Sequence, residues 1–149
     1  MTLPNFTDLL DVNLWLALAV EAHAHHHRAQ AYWEGEAAPQ SAFCRVTELA
    51  FLRHLTHPAV MGDQMLTPSA AWGKLQEFRA LPEVKFLAEP SGLDGLLRDF
   101  CNLGRTSPNL WTDAYLAAFA KGAGLRMVTF DQGFARFKGL ELLILKAER

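Results

Sequence analysis

Four of the sixteen acidic residues, Asp11, Glu48, Asp113 and Asp131, stand at positions where carboxylates do chemistry. Asp11 closes the apolar run that starts at Phe6, and Asp131 follows the run Arg126 to Phe130. Glu48 sits early in a helix after Ser41 to Cys44. Asp113 is expected past the first turn of a late helix, beside Ala114, Ala117 and Ala118, whose small side chains leave room for an ion or a backbone. Carboxylates brought together repel and take up protons unless a cation neutralises them. Hard divalent ions suit that task, because they prefer carboxylate oxygens and keep several waters. An ion held this way activates water and neutralises a phosphate oxygen, which is the core of metal-dependent phosphodiester hydrolysis. The plainer alternative makes the same acids helix caps and solvated turn residues.

Positioning four acids requires elements that end at one edge. The spacing of apolar residues predicts strands over Phe6 to Asp11, Ser41 to Cys44, Val84 to Leu87, Arg126 to Phe130 and Leu142 to Leu145. Helices are expected over Asn13 to Glu21, His25 to Glu34, a stretch through Glu48, Phe51, Leu52 and Leu55, and Thr67 to Ala80. Two more follow, from Leu93 to Leu103 before Gly104, and from Ser107-Pro108 to Lys121 before Gly122 and Gly124. Strands alternating with helices imply parallel pairing, hence a three-layer α/β/α sandwich around a mainly parallel sheet. In such sheets ligands bind where the strands end and the helices begin. Strand order is not visible from periodicity.

The chain has 149 residues, half of them hydrophobic and 20% charged, which fits one globular domain spanning residues 1–149 and excludes a disordered chain. A net charge of −2 argues against coating nucleic acid by bulk charge, though a small basic patch beside an acidic site is compatible with it. No apolar run approaches the roughly 18 residues of a membrane span. The start, Met1 to Thr7, lacks the features of a signal peptide, and two cysteines make neither a disulfide framework nor a zinc site. A cytoplasmic protein is expected.

The segments Leu9-Leu10-Asp11-Val12-Asn13, Thr47-Glu48, Thr112-Asp113-Ala114-Tyr115-Leu116-Ala117-Ala118 and Val128-Thr129-Phe130-Asp131 resemble, in order and spacing, the acidic motifs of PIN-domain ribonucleases. The similarity is greatest to VapC-type toxins of bacterial toxin–antitoxin pairs, and it extends over nearly the whole chain. The resemblance implies a PIN-like, Rossmann-like fold and an acidic pocket for one or two Mg²⁺ or Mn²⁺ ions. It also implies endonucleolytic hydrolysis of RNA by a metal-activated water, and inhibition by a cognate VapB-like antitoxin. Asp11, Asp113 and Asp131 match the family's metal-binding aspartates, and Glu48 its acid in the second segment. Asn13 and Thr129 match polar residues that order the site. Many such toxins are homodimers, so a homodimer is expected.

Other residues invite rival readings. His23, His25, His26 and His27 look like a metal tract, but adjacent helical residues do not face one another, and a packing or solvated role is expected. Arg45, Arg53, Lys121, Arg126 and Arg136 are the cations nearest the acids, and Arg45 is the best placed to grip an RNA phosphate. Of the four tryptophans, Trp111 alone merits testing as a substrate contact. No glycine loop follows the first strand, which counts against dinucleotide cofactors and P-loop nucleotides. Two functional alternatives remain: a PIN-like fold that binds RNA or protein without cutting, and a phosphoryl-transfer or signalling domain. The latter does not account for Asp113.

Overall fold

The computed structural model describes residues 7–102 and 106–147. Five short strands, β1 (Thr7–Leu10), β2 (Gln40–Phe43), β3 (Val84–Phe86), β4 (Arg126–Thr129) and β5 (Leu142–Ile144), form one sheet in the order β3-β2-β1-β4-β5. Every pair is parallel, with Leu9 opposite Ala42 on one side and Met127 on the other. The helices are α1 (Val12–Ala19), α2 (His26–Gly35), α3 (Arg45–Leu55), α4 (Pro58–Met61), α5 (Pro68–Arg79), α6 (Leu93–Cys101) and α7 (Leu110–Ala123). Short 3-10 turns span Gly62–Gln64 and Gln132–Arg136.

Side-chain alternation splits the core into two layers, because successive strand residues point to opposite faces. Leu9, Ala42 and Met127 pack beneath α6 and α7 with Phe100, Ala117 and Phe119. Their neighbours Leu10, Phe43 and Val128 pack beneath α1, α2, α3 and α5 with Trp15, Tyr32, Phe51 and Leu75. Trp15 stacks on Phe43 with ring centroids 3.8 Å apart, so this tryptophan is core. The expected α/β/α sandwich is what forms. Among the described residues no helix is long and apolar enough to cross a membrane.

Three departures bear on the site. The late helix does not open at Ser107-Pro108. Leu110 donates its N–H to Ser107 across a turn, Asn109 keeps non-helical torsions (φ −101°, ψ 6°), and α7 begins only at Leu110. Asp113 therefore lies in the first turn of α7 and not beyond it. The 3-10 turn after β4 was not legible, since its five residues are too few to show a period. Helix α6 ends at Cys101, while the expected end at Leu103 and Gly104, and the start of β1 at Phe6, lie outside the described residues.

Candidate active site at the carboxyl edge of the sheet

The chain runs from β1 outward to β2 and β3, then returns to place β4 on the other flank of β1. The order thus reverses between β1 and β4, the place where open parallel sheets bind ligands. Asp11 follows β1 and caps α1: its Oδ1 accepts from Val12 N–H at 2.8 Å, and its Oδ2 accepts from the Thr129 hydroxyl at 2.7 Å. Thr129, fully buried at the end of β4, in turn accepts from the Asp131 N–H at 3.0 Å. One hydroxyl therefore ties the two strand ends together. Asp131 is exposed and caps the 3-10 turn, accepting from Gly133 N–H at 2.8 Å. A Cβ on Gly133 would fall 2.7 Å from Arg136 Nη1 and 3.0 Å from Asp131 Oδ1, so glycine permits this close turn.

Asp113 enters from the first turn of α7, with Oδ2 3.3 Å from Arg136 Nη2. Burial pushes its carboxyl up to about 6, and the neighbouring charges of Asp11 and Asp131 push the same way, against the pull of Arg136. Burial likewise raises Asp11, with Asp131 adding to it, although the Thr129 and Val12 hydrogen bonds oppose the rise. These acids sit at helix starts, where the dipole favours negative charge. The upward shifts show that repulsion and desolvation outweigh that help.

Glu48 lies in the first turn of α3, after β2. It is fully buried, its charge partners are Arg45 and Arg79, and no aspartate is among the charges that act on it. The α3 residue whose charge reaches Asp11 is His54, six positions on, about 120° around the helix from Glu48. His54 is fixed by Nδ1, 2.7 Å from the Ala50 carbonyl. Asn13, one residue into α1, leaves its Oδ1 buried with no hydrogen-bond partner.

Among the described residues no three acidic, histidine or cysteine side chains converge into a ready-made cage for an ion. The histidine tract packs: His26 Nδ1 donates to the Ala17 carbonyl at 2.7 Å, and the His25 ring stacks on Phe130 at 4.8 Å. Arg126, one of the cations singled out as near the acids, belongs to a different cluster. It forks onto Asp8 at 2.8 and 2.9 Å at the opposite edge of the sheet. Trp111 is 69% exposed, two residues before Asp113. Arg79 and His54 escaped sequence reasoning because only the packing of α5 and α3 brings them to these positions.

Aspartates thus follow β1 and β4, and a third comes from α7, the helix between α6 and β4. The PIN domain matches residues 9–140. The chain belongs to the PIN-domain family. Along its length this PIN domain is 39% identical over 142 residues to Ribonuclease VapC41 of Mycobacterium tuberculosis, an alignment covering 92% of this chain and 97% of that one. It is 35% identical to Ribonuclease VapC38 of the same organism, covering 84% of this chain and 85% of the relative. Among solved structures, VapBC2 from Rickettsia felis, bound to a promoter DNA fragment, matches with TM-score 0.66 at 12% identity, covering 94% of this chain and 99% of that one. VapC20 of Mycobacterium tuberculosis, described as a Sarcin-Ricin loop cleaving toxin, matches with TM-score 0.65 at 16% identity over 90% of this chain and 97% of that one. Both structural matches show the PIN fold.

Proposed function

We propose that this PIN domain is an endoribonuclease, the toxin of a toxin–antitoxin pair, and that Asp11, Asp113 and Asp131 hold its divalent cation, Mg²⁺ or Mn²⁺. The observation that carries the reading is three aspartates from three separate segments, close enough that Asp11 and Asp131 add to the burial that raises Asp113 to about 6. The residues fit a hard cation. Carboxylate oxygens are the donors it prefers, and it keeps waters of its own, so a closed cage is not required. The orphaned Asn13 Oδ1 is an acceptor of the kind such a water shell satisfies. When bound, the metal supplies a more acidic water and offsets the charge developing on a phosphodiester.

The chain's own residues do the positioning. The Thr129 hydroxyl and the Val12 N–H hold the Asp11 carboxylate in one orientation, and Thr129 also fixes the backbone of Asp131. Arg136 restrains Asp113 while bonding the Gly133 carbonyl at 2.9 Å. Support for RNA as substrate comes from the relatives named ribonucleases, at 39% and 35% identity over most of the chain. Support for a VapB-like antitoxin comes from the VapBC2 complex and from FitAcB of Neisseria gonorrhoeae, whose toxin folds match this one. An antitoxin arginine placed among the aspartates would replace the cation's charge.

The deciding test is cleavage of total cellular RNA in Mg²⁺ and in Mn²⁺, with EDTA and Asp11→Asn as controls and fragment ends sequenced. Discrete cuts that need both the metal and Asp11 establish the activity and name its substrate. Folded, antitoxin-free protein that makes no cuts in either metal refutes it.

A further inference from the structure

Beside the three aspartates at the carboxyl edge the chain places a cation of its own. Arg136, the last residue of the 3-10 turn after β4, puts Nη2 3.3 Å from Asp113 Oδ2 and Nη1 2.9 Å from the Gly133 carbonyl. Its guanidinium lies 4.5 Å from the centroid of the Phe137 ring, which is buried. Asp131 caps the start of the same turn. A Cβ on Gly133 would meet both Arg136 Nη1 and Asp131 Oδ1, so the guanidinium and this second carboxylate flank one point that glycine leaves open. The head group is thus set by a carbonyl, a carboxylate and a ring. Two of its five N–H groups are used, and the rest have no partner among the described residues. The side chain is 34% exposed, so part of this donor set is open to a ligand.

A purely structural ion pair uses its donors up. Arg126 does so at the opposite edge, with two bonds to Asp8 and a third to the Glu36 carbonyl. Arg136 instead makes one long contact to its acid and holds most of its fork in reserve. Three carboxylates against one guanidinium leave an excess of two negative charges, which one Mg²⁺ or Mn²⁺ offsets. With their charge met in that way, the aspartates leave the guanidinium to serve an anion. Hydrolysis of a phosphodiester bonds a water oxygen to phosphorus while the bond to one ribose oxygen breaks. The water gives up a proton to solvent, and the departing oxygen takes one back. Through the transition state the non-bridging oxygens carry the charge that needs stabilising, and a planar guanidinium matches two such oxygens.

We propose that Arg136 is a further catalytic residue, whose unused N–H groups donate to the non-bridging oxygens of the scissile RNA phosphate. It neither gives nor takes a proton, and the Gly133 carbonyl and the Phe137 ring hold its fork in place before substrate arrives. This inference rests on the ribonuclease reading above.

Two readouts test it: steady-state cleavage of a fluorophore–quencher RNA spanning a cut mapped in total RNA, and calorimetric binding of Mn²⁺ to RNA-free protein. Arg136→Gln lowers kcat about 100-fold and moves KM less than about threefold, because the contact strengthens as charge develops. The same variant binds Mn²⁺ about 3- to 10-fold more tightly, since a competing cation has left the aspartates. Arg136→Lys keeps the charge and loses the fork, so kcat falls about tenfold and Mn²⁺ affinity stays within about twofold. Lys138→Gln, an equal loss of charge at an exposed position two residues on, changes neither readout. An arginine that only braces the turn gives the opposite metal result, weaker Mn²⁺ binding as Asp113 and Asp131 lose their positions. That outcome overturns the proposal, and so does kcat within about threefold of wild type in Arg136→Gln at saturating Mn²⁺. If Arg136→Gln does not fold, Arg136→Lys decides, and wild-type kcat in it overturns the proposal. Wild-type protein that makes no cuts in either metal defeats the ribonuclease reading itself, whereas full cutting by Arg136→Gln defeats this inference alone.

Discussion

Strand β1 carries a buried aspartate near each end, Asp8 and Asp11, and their surroundings could hardly differ more. Asp8 is fully buried and saturated: it accepts two bonds from Arg126, one from the Tyr32 hydroxyl at 2.5 Å and one from the Ala38 N–H at 3.0 Å. Burial and the adjacent Asp8 push the Tyr32 phenol up, so it stays a donor at any working pH. Asp11 is nearly as buried but has two neutral donors and two acidic neighbours. A charge neutralised within the protein holds the fold together, and a charge left without a counterion is available to something brought from outside. The same side chain on the same strand serves stability at one end and chemistry at the other.

That contrast can be broken from either side. At the carboxyl edge, Asp11→Asn and Asp113→Asn should each cut RNA cleavage by more than about 100-fold, the scale of losing one electrostatic partner of a reacting centre. Far-ultraviolet circular dichroism should be unchanged. Activity within tenfold of wild type in both variants would erase the functional half of the comparison.

At the other edge, Arg126→Ala leaves Asp8 buried without its counterion and should cost about 3 kcal/mol in urea denaturation. The folded fraction should still cleave. A loss below about 1 kcal/mol would mean that water or another donor replaces the Arg126 bonds, and that Asp8 does not depend on this arginine.

A smaller effect separates the two regions by pH. Asp113 has its folded-state value raised to about 6 from 3.8. Its proton therefore favours the folded state below about pH 4, and that contribution is lost as pH rises through 6. Metal-free wild type, measured in EDTA, should lose on the order of 1–2 kcal/mol relative to Asp113→Asn between pH 4 and pH 7.5. Equal pH profiles for the two proteins would show that burial and the neighbouring aspartates do not raise Asp113 in solution.

The smallest expected effect belongs to Trp111. At 69% exposed, its replacement by Ala should change stability by less than about 0.5 kcal/mol. A fall in RNA affinity without a fall in Tm would add this ring to the substrate surface.

Much of the fold was legible because it rests on local rules. Alternating apolar pairs such as Leu9-Leu10 and Met127-Val128 announce strands covered on both faces, and Thr67-Pro68 marks the start of α5, with Thr67 accepting from Ala70 N–H at 3.2 Å. Asp11 and Asp131 were legible for the same reason, as acids that directly follow strands. The start of α7 was misjudged because Ser-Pro is a sound capping signal that also suits an ordinary turn, and the non-helical Asn109 made it one. Glu48 was legible only as an acid early in the helix after β2, because its partner Arg79 comes from a separate helix and meets it only when α3 and α5 pack.

Residue types and their order along the chain determined the alternation of strands and helices, the parallel sheet and the presence of carboxylates at its edge. These follow from steric and hydrophobic preferences that act within a few residues. Tertiary structure decided which charges meet. Arg126 lies 118 residues from Asp8, Arg79 lies 31 residues from Glu48, and each pair forms only when separate segments pack. Whether an aspartate ends as a neutralised strut or an unneutralised site is a property of those distant partners, and no local pattern encodes it.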